Sequence, residues 1–429
     1  MGSELLPAQP LSRGKRWLFC GLTLLFSIGV LELVSFFLWM IYPPVNLDVL
    51  AMLQSEVAAV GTKHTDGLEV LHPYVGWVFN PDAADLPADL AAVNSLGFAD
   101  TGSSIRRRLP DRIVIGIFGG SVAQQLATVG EQAFRARLMS SPTLKGRKIE
   151  IVRMAMSGYK QPQQAMALNY VLALGAEFDI VVNIDGFNET GLAVGENSKT
   201  GVFAAYPRAW HARLQDVVDP RTSSISYRLL QIRATRQARA QWIVQSILSR
   251  SWTASLIWAS QDKFLAQQKL NLGLELIHHS QQRGFGFARQ GPAPMYSNED
   301  EMYAQASELW SNSSLQMHHL CLGREIRYLH FLQPNQYHEG SKRLSPEEIN
   351  EFYTPDASFA LAVKQGYPRL IIAGGGLQKD GVTFHDLTRL FADEMDTIYS
   401  DYFCHYNARG TNLLAEVVAD RILESLLPR

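Results

Sequence analysis

The chain has 429 residues, of which 47% are hydrophobic and 19% charged, and its formal net charge is −2. This composition is typical of a folded globular protein that carries one additional apolar segment. It lacks the basic excess that indicates nucleic-acid binding. Three cysteines cannot form a disulfide framework, and no cysteine–histidine cluster predicts a metal site. We therefore expect no nucleic-acid partner, no metal and no other cofactor.

A nearly unbroken apolar run occupies residues 17–42, beginning at Trp17 and ending at Tyr42. The run exceeds the roughly 20 residues that a helix needs to cross a bilayer. It ends in bulky side chains, whereas a cleaved signal peptide ends in small ones. Basic residues precede the run, so the positive-inside rule predicts a cytoplasmic tail at residues 1–16. The sequence thus predicts a single-pass signal anchor in contact with membrane lipid, followed by an extracytoplasmic (periplasmic or extracellular) domain.

One ionisable residue, Glu32, interrupts this apolar run. An ionisable side chain at such a depth is costly, which makes it a candidate for a functional role. Two simpler interpretations stay open: the carboxyl group is tolerated when protonated, or it pairs with a partner helix.

Residues 43–110 form a predicted juxtamembrane segment, in which Asn94 to Phe98 resemble an ordered loop. From residue 111 onward, short runs rich in β-branched residues alternate with stretches of helical length, a pattern that predicts a parallel sheet covered by helices on both faces. The predicted strands are residues 113–118, 149–154, 180–184 and 326–332, and the predicted helices include residues 163–174 and a closing helix at 410–427.

A helical insertion is predicted at about residues 190–317, with amphipathic helices at 227–248 and 255–279. Between residues 202 and 289 there are twelve basic residues and only four acidic ones. Such a segment could lie on anionic lipid headgroups, bind an acidic glycan, or form a solvated lid.

Ser121 follows the first predicted strand directly, in Gly119-Gly120-Ser121. Ligands of α/β proteins bind at the carboxyl ends of the strands, and a helix that begins there supplies amide donors for an anion. Alone, the triplet also fits an ordinary helix N-cap.

Four further residues follow other strands or precede the closing helix: Gly158, Asn188, Asp401 and His405. A serine hydroxyl needs a base to accept its proton, and histidine oriented by a carboxylate is suited to this role. Fixed amide donors would stabilise the resulting oxyanion. The set therefore favours a serine nucleophile with a histidine base.

These blocks resemble those of the SGNH/GDSL hydrolase superfamily over about residues 111–189 and 326–429. The resemblance implies a flavodoxin-like three-layer α/β/α sandwich with a central parallel sheet, spanning residues 111–429 around the insertion. It also implies site roles: Ser121 as nucleophile, His405 as base, Asp401 as its orienting acid, and Ser121, Gly158 and Asn188 as the oxyanion hole. Gly120 and Gly186 of the matching blocks are expected in substrate binding. Gln333 is expected there too, because residues 333–336 follow the fourth predicted strand and could line the pocket.

The sequence departs from the family pattern at one point. The spacing is Asp-x-x-x-His, one residue longer than usual, and Tyr402 occupies the expected acidic position. Either the loop bulges so that Asp401 still reaches His405, or a backbone carbonyl orients the histidine in a Ser–His dyad.

Two other features have structural interpretations. Gly374-Gly375-Gly376 lacks the ending of a phosphate-binding loop, so we expect a turn or a helix interruption. Cys404 is expected to be a packed thiol or a disulfide partner of Cys321.

Three functions are consistent with these residues. The first is an esterase that removes short acyl groups from an extracytoplasmic glycan or lipid through an acyl-serine intermediate. The second is an O-acyltransferase in cell-envelope polysaccharide acetylation, which would need a multi-span membrane partner to supply the acyl donor. The third is a non-catalytic, membrane-tethered scaffold. Fold resemblance alone does not identify the substrate.

Overall fold

A computed structural model describes residues 12–41, 68–83, 86, 92–214, 220–283, 286–293 and 296–427. Tyr42, most of the predicted cytoplasmic tail and the first part of the predicted juxtamembrane segment lie outside these residues. The chain divides into two compact units. The helical unit comprises described residues 12–41 and 220–283, and the sheet unit comprises the other described residues. The predicted insertion is thus divided between the two units.

Seven strands belong to the sheet unit. Two of them form a small antiparallel hairpin, β1 (Glu69–His72) and β2 (Gly76–Phe79). The other five form one sheet: β3 (Arg112–Gly119), β4 (Lys148–Arg153), β5 (Ile180–Asp185), β6 (Arg327–Leu332) and β7 (Thr383–Asp386). The four strands predicted from sequence match β3 to β6 to within one residue at each end. The short strands β1, β2 and β7 were not predicted.

The five-stranded sheet has the order β4-β3-β5-β6-β7, and all its pairings are parallel. Strand β5 is buried at all six positions, which explains its uninterrupted apolar and β-branched sequence at residues 180–182. The chain reverses direction across the sheet between β4 and β5, because β5 pairs with the opposite side of β3. In sheets of this kind such a reversal opens a crevice at the carboxyl ends of the strands.

Helices connect and flank these strands. In chain order the α-helices are α1 (Arg13–Ile41), α2 (Ser121–Thr128), α3 (Glu131–Met139), α4 (Gln163–Ala173), α5 (Trp210–Arg213), α6 (Pro220–Gln245), α7 (Trp252–Arg283), α8 (Gly286–Gln290), α9 (Glu299–Leu322), α10 (Pro346–Glu351), α11 (Ser358–Lys379) and α12 (Ala408–Leu426). A π-helix spans Asn188–Asn197, and short 3-10 turns span Pro142–Leu144, Ser198–Thr200 and Ile247–Arg250.

The triple glycine at residues 374–376 lies inside α11, so the predicted turn or interruption is wrong. Packing explains at least one of these glycines. A Cβ atom on Gly374 would lie 2.1 Å from the ring of Phe384 in β7. The glycine therefore lets the helix approach the last strand of the sheet closely.

In the helical unit, α1 is long and apolar enough to cross a membrane. Its Glu32 is not isolated, because its carboxylate accepts hydrogen bonds from the Ser251 hydroxyl and from the Trp252 backbone N–H at the start of α7. Of the two simpler interpretations of Glu32, the structure contains the second, in which the carboxylate pairs with another helix.

A second carboxylate, Glu348 of α10, joins three segments of the sheet unit. It accepts hydrogen bonds from the Lys342 ammonium at 2.8 Å and from the backbone N–H groups of Ser345, Ile398 and Tyr399 at 2.7–2.9 Å. Its side chain is 1% exposed. Burial alone would raise the pKa of Glu348, but these donors hold the pKa below its ordinary value.

We expect Glu348→Ala to lower the free energy of unfolding by about 3–5 kcal/mol, because it leaves a buried ammonium without its partner. Glu351→Ala, at an exposed position of the same helix, should change it by less than about 0.5 kcal/mol. Urea unfolding of the full chain in detergent, followed by tryptophan fluorescence, measures both. Equal midpoints for the two variants would contradict the expectation.

The sign of the pH dependence follows from the lowered pKa. The stabilisation from Glu348 is complete above the carboxyl pKa of the unfolded chain, about 4.3, and is lost as the pH falls through the folded-state value. The difference between wild type and Glu348→Ala should therefore shrink in acid.

Candidate active site

Ser121 lies at the start of α2, directly after β3. The turn between them needs glycine, because Gly119 has φ +139° and a Cβ atom there would lie 2.1 Å from the Ile184 carbonyl oxygen in β5. As the first residue of a helix, Ser121 has a backbone N–H without an intrahelical acceptor. The serine is therefore held at the carboxyl end of a central strand, with an amide donor beside it.

His405 reaches Ser121 from a loop just before α12. The Nε2 atom of His405 lies 2.7 Å from the Ser121 hydroxyl oxygen. The loop is closed by an antiparallel bridge between Tyr399 and Tyr406 and by a hydrogen bond from Ser400 N–H to the His405 carbonyl. The fold thus brings together two side chains that are 284 residues apart in sequence.

Asp401 contacts the other nitrogen of the imidazole, and its Oδ2 lies 2.5 Å from His405 Nδ1. Its Oδ1 accepts the backbone N–H groups of Phe403 and His405, at 2.7 and 3.2 Å. Burial works to raise the pKa of Asp401, but the hydrogen bonds and the charge of His405 hold it below its ordinary value. The carboxylate therefore stays ionised and fixes the imidazole.

The extra residue of the Asp-x-x-x-His spacing is accommodated at Cys404. Its φ of +65° is left-handed, a conformation that few residues other than glycine adopt. This local turn directs Asp401 and His405 towards each other, whereas Tyr402 at the expected acidic position is 44% exposed. Of the two alternatives, the bulged loop is the one that the structure contains.

Two further candidate donors follow β4 and β5, the strands that neighbour β3. Gly158, with φ +81°, has a backbone N–H that donates to no acceptor within the described residues. The Asn188 amide donates one hydrogen to the Tyr159 carbonyl at 2.7 Å, and its second hydrogen is left for another acceptor. A Cβ atom on Gly120 would lie 2.3 Å from Asn188 Nδ2. The absence of a side chain at Gly120 therefore leaves room for the Asn188 amide next to Ser121.

Glu189, next to Asn188, fixes the loops that carry these donors. Its carboxylate accepts the backbone N–H of Gly186 at 2.8 Å, the backbone N–H of Gln161 at 3.0 Å and the side chain of Gln164 at 3.1 Å. Burial, followed by the nearby Asp185 carboxylate, raises the pKa of Glu189 to about 8. Glu189 directly follows Asn188 in the sequence, but this position alone does not indicate the positioning contact.

The other predicted substrate-binding residues, Gly186 and Gln333, are buried. The Gln333 amide donates to the Cys404 sulfur at 3.1 Å, so it contacts the loop that carries His405 and does not line an open pocket. Gln336, in the same segment after β6, donates to the Asp401 carbonyl at 2.8 Å. The position of both glutamines just after a strand is the sequence signal for a place near the site, but it did not indicate these contacts.

No group of three or more His, Cys, Asp or Glu side chains suited to a metal ion occurs in the described part of the chain. Neither the models of known protein families nor the curated proteins include a match to this sequence. The arrangement itself is a serine hydroxyl hydrogen-bonded to a histidine, which is hydrogen-bonded to a carboxylate. Such a chain of contacts can activate the serine as a nucleophile.

We expect the Cys404 thiol to be chemically inert, despite its place beside His405. Cys404 is 1% exposed and its pKa is raised by burial, and burial also raises the pKa of Cys321 to about 12. Because the thiolate is the reactive species, iodoacetamide should modify neither residue in the folded protein at pH 8. Peptide mass spectrometry measures this, and both should react after unfolding.

An exposed cysteine introduced by Ser140→Cys provides the control and should be modified under native conditions. Native modification of Cys404, or a disulfide between Cys404 and Cys321, would contradict the expectation.

Proposed function

We propose that this protein is a membrane-anchored serine esterase of the SGNH/GDSL kind. It removes short acyl groups from ester-linked positions of an extracytoplasmic glycan or lipid. The observation that carries the proposal is the continuous hydrogen-bonded chain Ser121–His405–Asp401, at 2.7 and 2.5 Å. The α1 helix is the proposed anchor, and the sheet unit lies on the extracytoplasmic side.

The strand order supports a flavodoxin-like architecture for the sheet unit. Numbered along the chain within the five-stranded sheet, the order is 2-1-3-4-5, which is that of flavodoxin-like folds. The reversal point in such folds lies between the first and third strands, here β3 and β5. Ser121 and Asn188 follow these two strands and so lie on either side of the crevice.

The proposed reaction begins when His405 Nε2 accepts the Ser121 proton as the serine oxygen attacks the ester carbonyl. Asp401 stabilises the imidazolium that forms. The oxyanion is stabilised by the N–H groups of Ser121 and Gly158 and by the second hydrogen of the Asn188 amide. His405 then protonates the departing alcohol, leaving an acyl group on Ser121. Water, activated by His405, releases the acid and restores the serine.

The first test is the hydrolysis of p-nitrophenyl acetate by the full chain in detergent. Ser121→Ala and His405→Ala should both reduce the rate to background, because either change removes the activated nucleophile. Ser140→Ala, at an exposed position, should leave the rate unchanged. Hydrolysis by Ser121→Ala at the wild-type rate would overturn the proposal.

Mass spectrometry of the Ser121 peptide distinguishes hydrolysis from transfer. Rapid release of acetate to water supports an esterase. An acetyl group that persists on Ser121 until a sugar hydroxyl is supplied supports an acyltransferase with the same residues. A folded protein that neither hydrolyses the ester nor becomes acetylated would favour the scaffold.

Asp401→Asn should reduce kcat by about 10³–10⁴-fold, as expected when the orienting carboxylate of such a triad becomes an amide. This loss should be smaller than that caused by Ser121→Ala. Steady-state kinetics of the two variants measure the difference. Wild-type kcat in Asp401→Asn would show that the carboxylate does not assist His405.

A further inference from the structure

The connection between α6 and α7 has an unusual composition. Residues 240–261 contain a single ionisable side chain, Arg250, in a segment that is otherwise strongly basic. Arg239 precedes this stretch, and Asp262 and Lys263 follow it. It consists of two apolar limbs, 240–248 and 252–260, joined by a short turn. Apolar stretches too short to cross a bilayer are typical of re-entrant or interfacial segments.

The two helices form an antiparallel hairpin. The Arg236 guanidinium and the Asp262 carboxylate make two hydrogen bonds, each 2.8 Å long, across the hairpin at the base of the apolar stretch. Arg221 and Glu275 pair farther from the turn, at 3.3 Å. Residues 240–261 are therefore the tip of the hairpin, and we call them the hairpin tip.

Large apolar side chains of the hairpin tip remain wholly or partly exposed. Ile247, in the turn, is 83% exposed. The exposed apolar residues on both limbs include Trp242, Val244, Leu248, Trp252 and Ile257. Their arrangement on both limbs and the turn gives a surface that water would solvate poorly.

Three serine hydroxyl groups at the tip are satisfied from within the tip. Ser246, Ser249 and Ser260 each donate to a backbone carbonyl three or four residues earlier, at 2.8–3.0 Å. Such internal pairing is what a segment in hydrocarbon requires. Arg250, in the turn, is the one charged exception, and a charged side chain at that depth is costly in hydrocarbon.

The hairpin tip packs directly against α1. Glu32 accepts hydrogen bonds from Ser251 and Trp252, and Ser35 pairs with Thr253 at 3.0 Å. The Trp252 ring packs against Phe36 and Trp39, with centroids 5.2 and 6.0 Å apart. These contacts fix the position of the tip along α1.

The contacts with Glu32 place the turn of the hairpin tip near the middle of α1. Residue 29 lies midway along residues 17–41, and Glu32 is only about 4.5 Å farther along at a rise of about 1.5 Å per residue. Each nine-residue limb spans about 13.5 Å by the same rise, close to half of a hydrocarbon core about 30 Å thick. With α1 across a membrane, the limbs would extend from near the midplane to the headgroups, where Arg236 and Asp262 lie.

We propose that the hairpin tip is a re-entrant segment, embedded among lipid acyl chains beside α1 in the leaflet that holds the C-terminal half of α1. The inference rests on the proposed membrane span of α1. It adds a second point of insertion, so the protein is held by three helical segments packed together in the bilayer. Glu32, satisfied by the start of α7, joins the span to the hairpin.

Depth-dependent fluorescence quenching tests this with the full chain in phosphatidylcholine vesicles. On a Cys20→Ala background, Ile247→Cys and Leu270→Cys are each labelled with bimane. Leu270 is also exposed and lies on α7 beyond the hairpin tip. Nitroxides on the lipid acyl chains should quench the label at 247 several-fold more than the label at 270. Aqueous iodide should show the opposite preference.

A third label at Val30→Cys, an exposed position in the middle of α1, separates the two proposals. Lipid quenching at 30 but not at 247 would overturn the hairpin inference and leave the anchor intact. Absence of lipid quenching at 30 would overturn both. A label at 247 quenched by neither agent would show that protein covers the tip, and it would also overturn the inference.

Discussion

The arrangement around Ser121 depends on the parallel pairing of β3 with β4 on one side and with β5 on the other. Because the three strands point the same way, the segments that follow them begin at one edge of the sheet. Ser121, Gly158 and Asn188 come from these three segments. The pairing also forces the turn at Gly119, since no larger residue fits against β5. The local chemistry is thus a consequence of strand direction.

Carboxylates have three different roles in the sheet unit. Asp401 is partly accessible, stays ionised and contacts an imidazole. Glu348 is buried with an ammonium and three backbone donors, and it holds the segment that leads into the histidine loop. Glu189 is buried among amide donors beside the Asp185 carboxylate, and burial followed by that neighbouring charge raises its pKa. The environment of each group, and not its residue type, sets its charge and its role.

The sequence indicated strands β3 to β6 and the position of Ser121 because these signals are local. A run of β-branched residues marks a buried strand, and a glycine pair before a serine marks a strand-to-helix turn. The contacts made by Gln336 and Glu348 have no such signal, since each depends on a partner 50 or more residues away. The Asp401 spacing could not be resolved for another reason: the left-handed turn at Cys404 is not evident from its residue type.

Glu32 is synthesised well before the residues that pair with it. Its partners, Ser251 and Trp252, follow it by 219 and 220 residues. At about 5–20 residues per second, synthesis of that interval takes roughly 10–45 s. During this time the first helix carries a carboxyl group that has no partner from α7. If α1 crosses a membrane as proposed, its carboxyl group would be in contact with the insertion machinery, lipid or water until the second segment is synthesised.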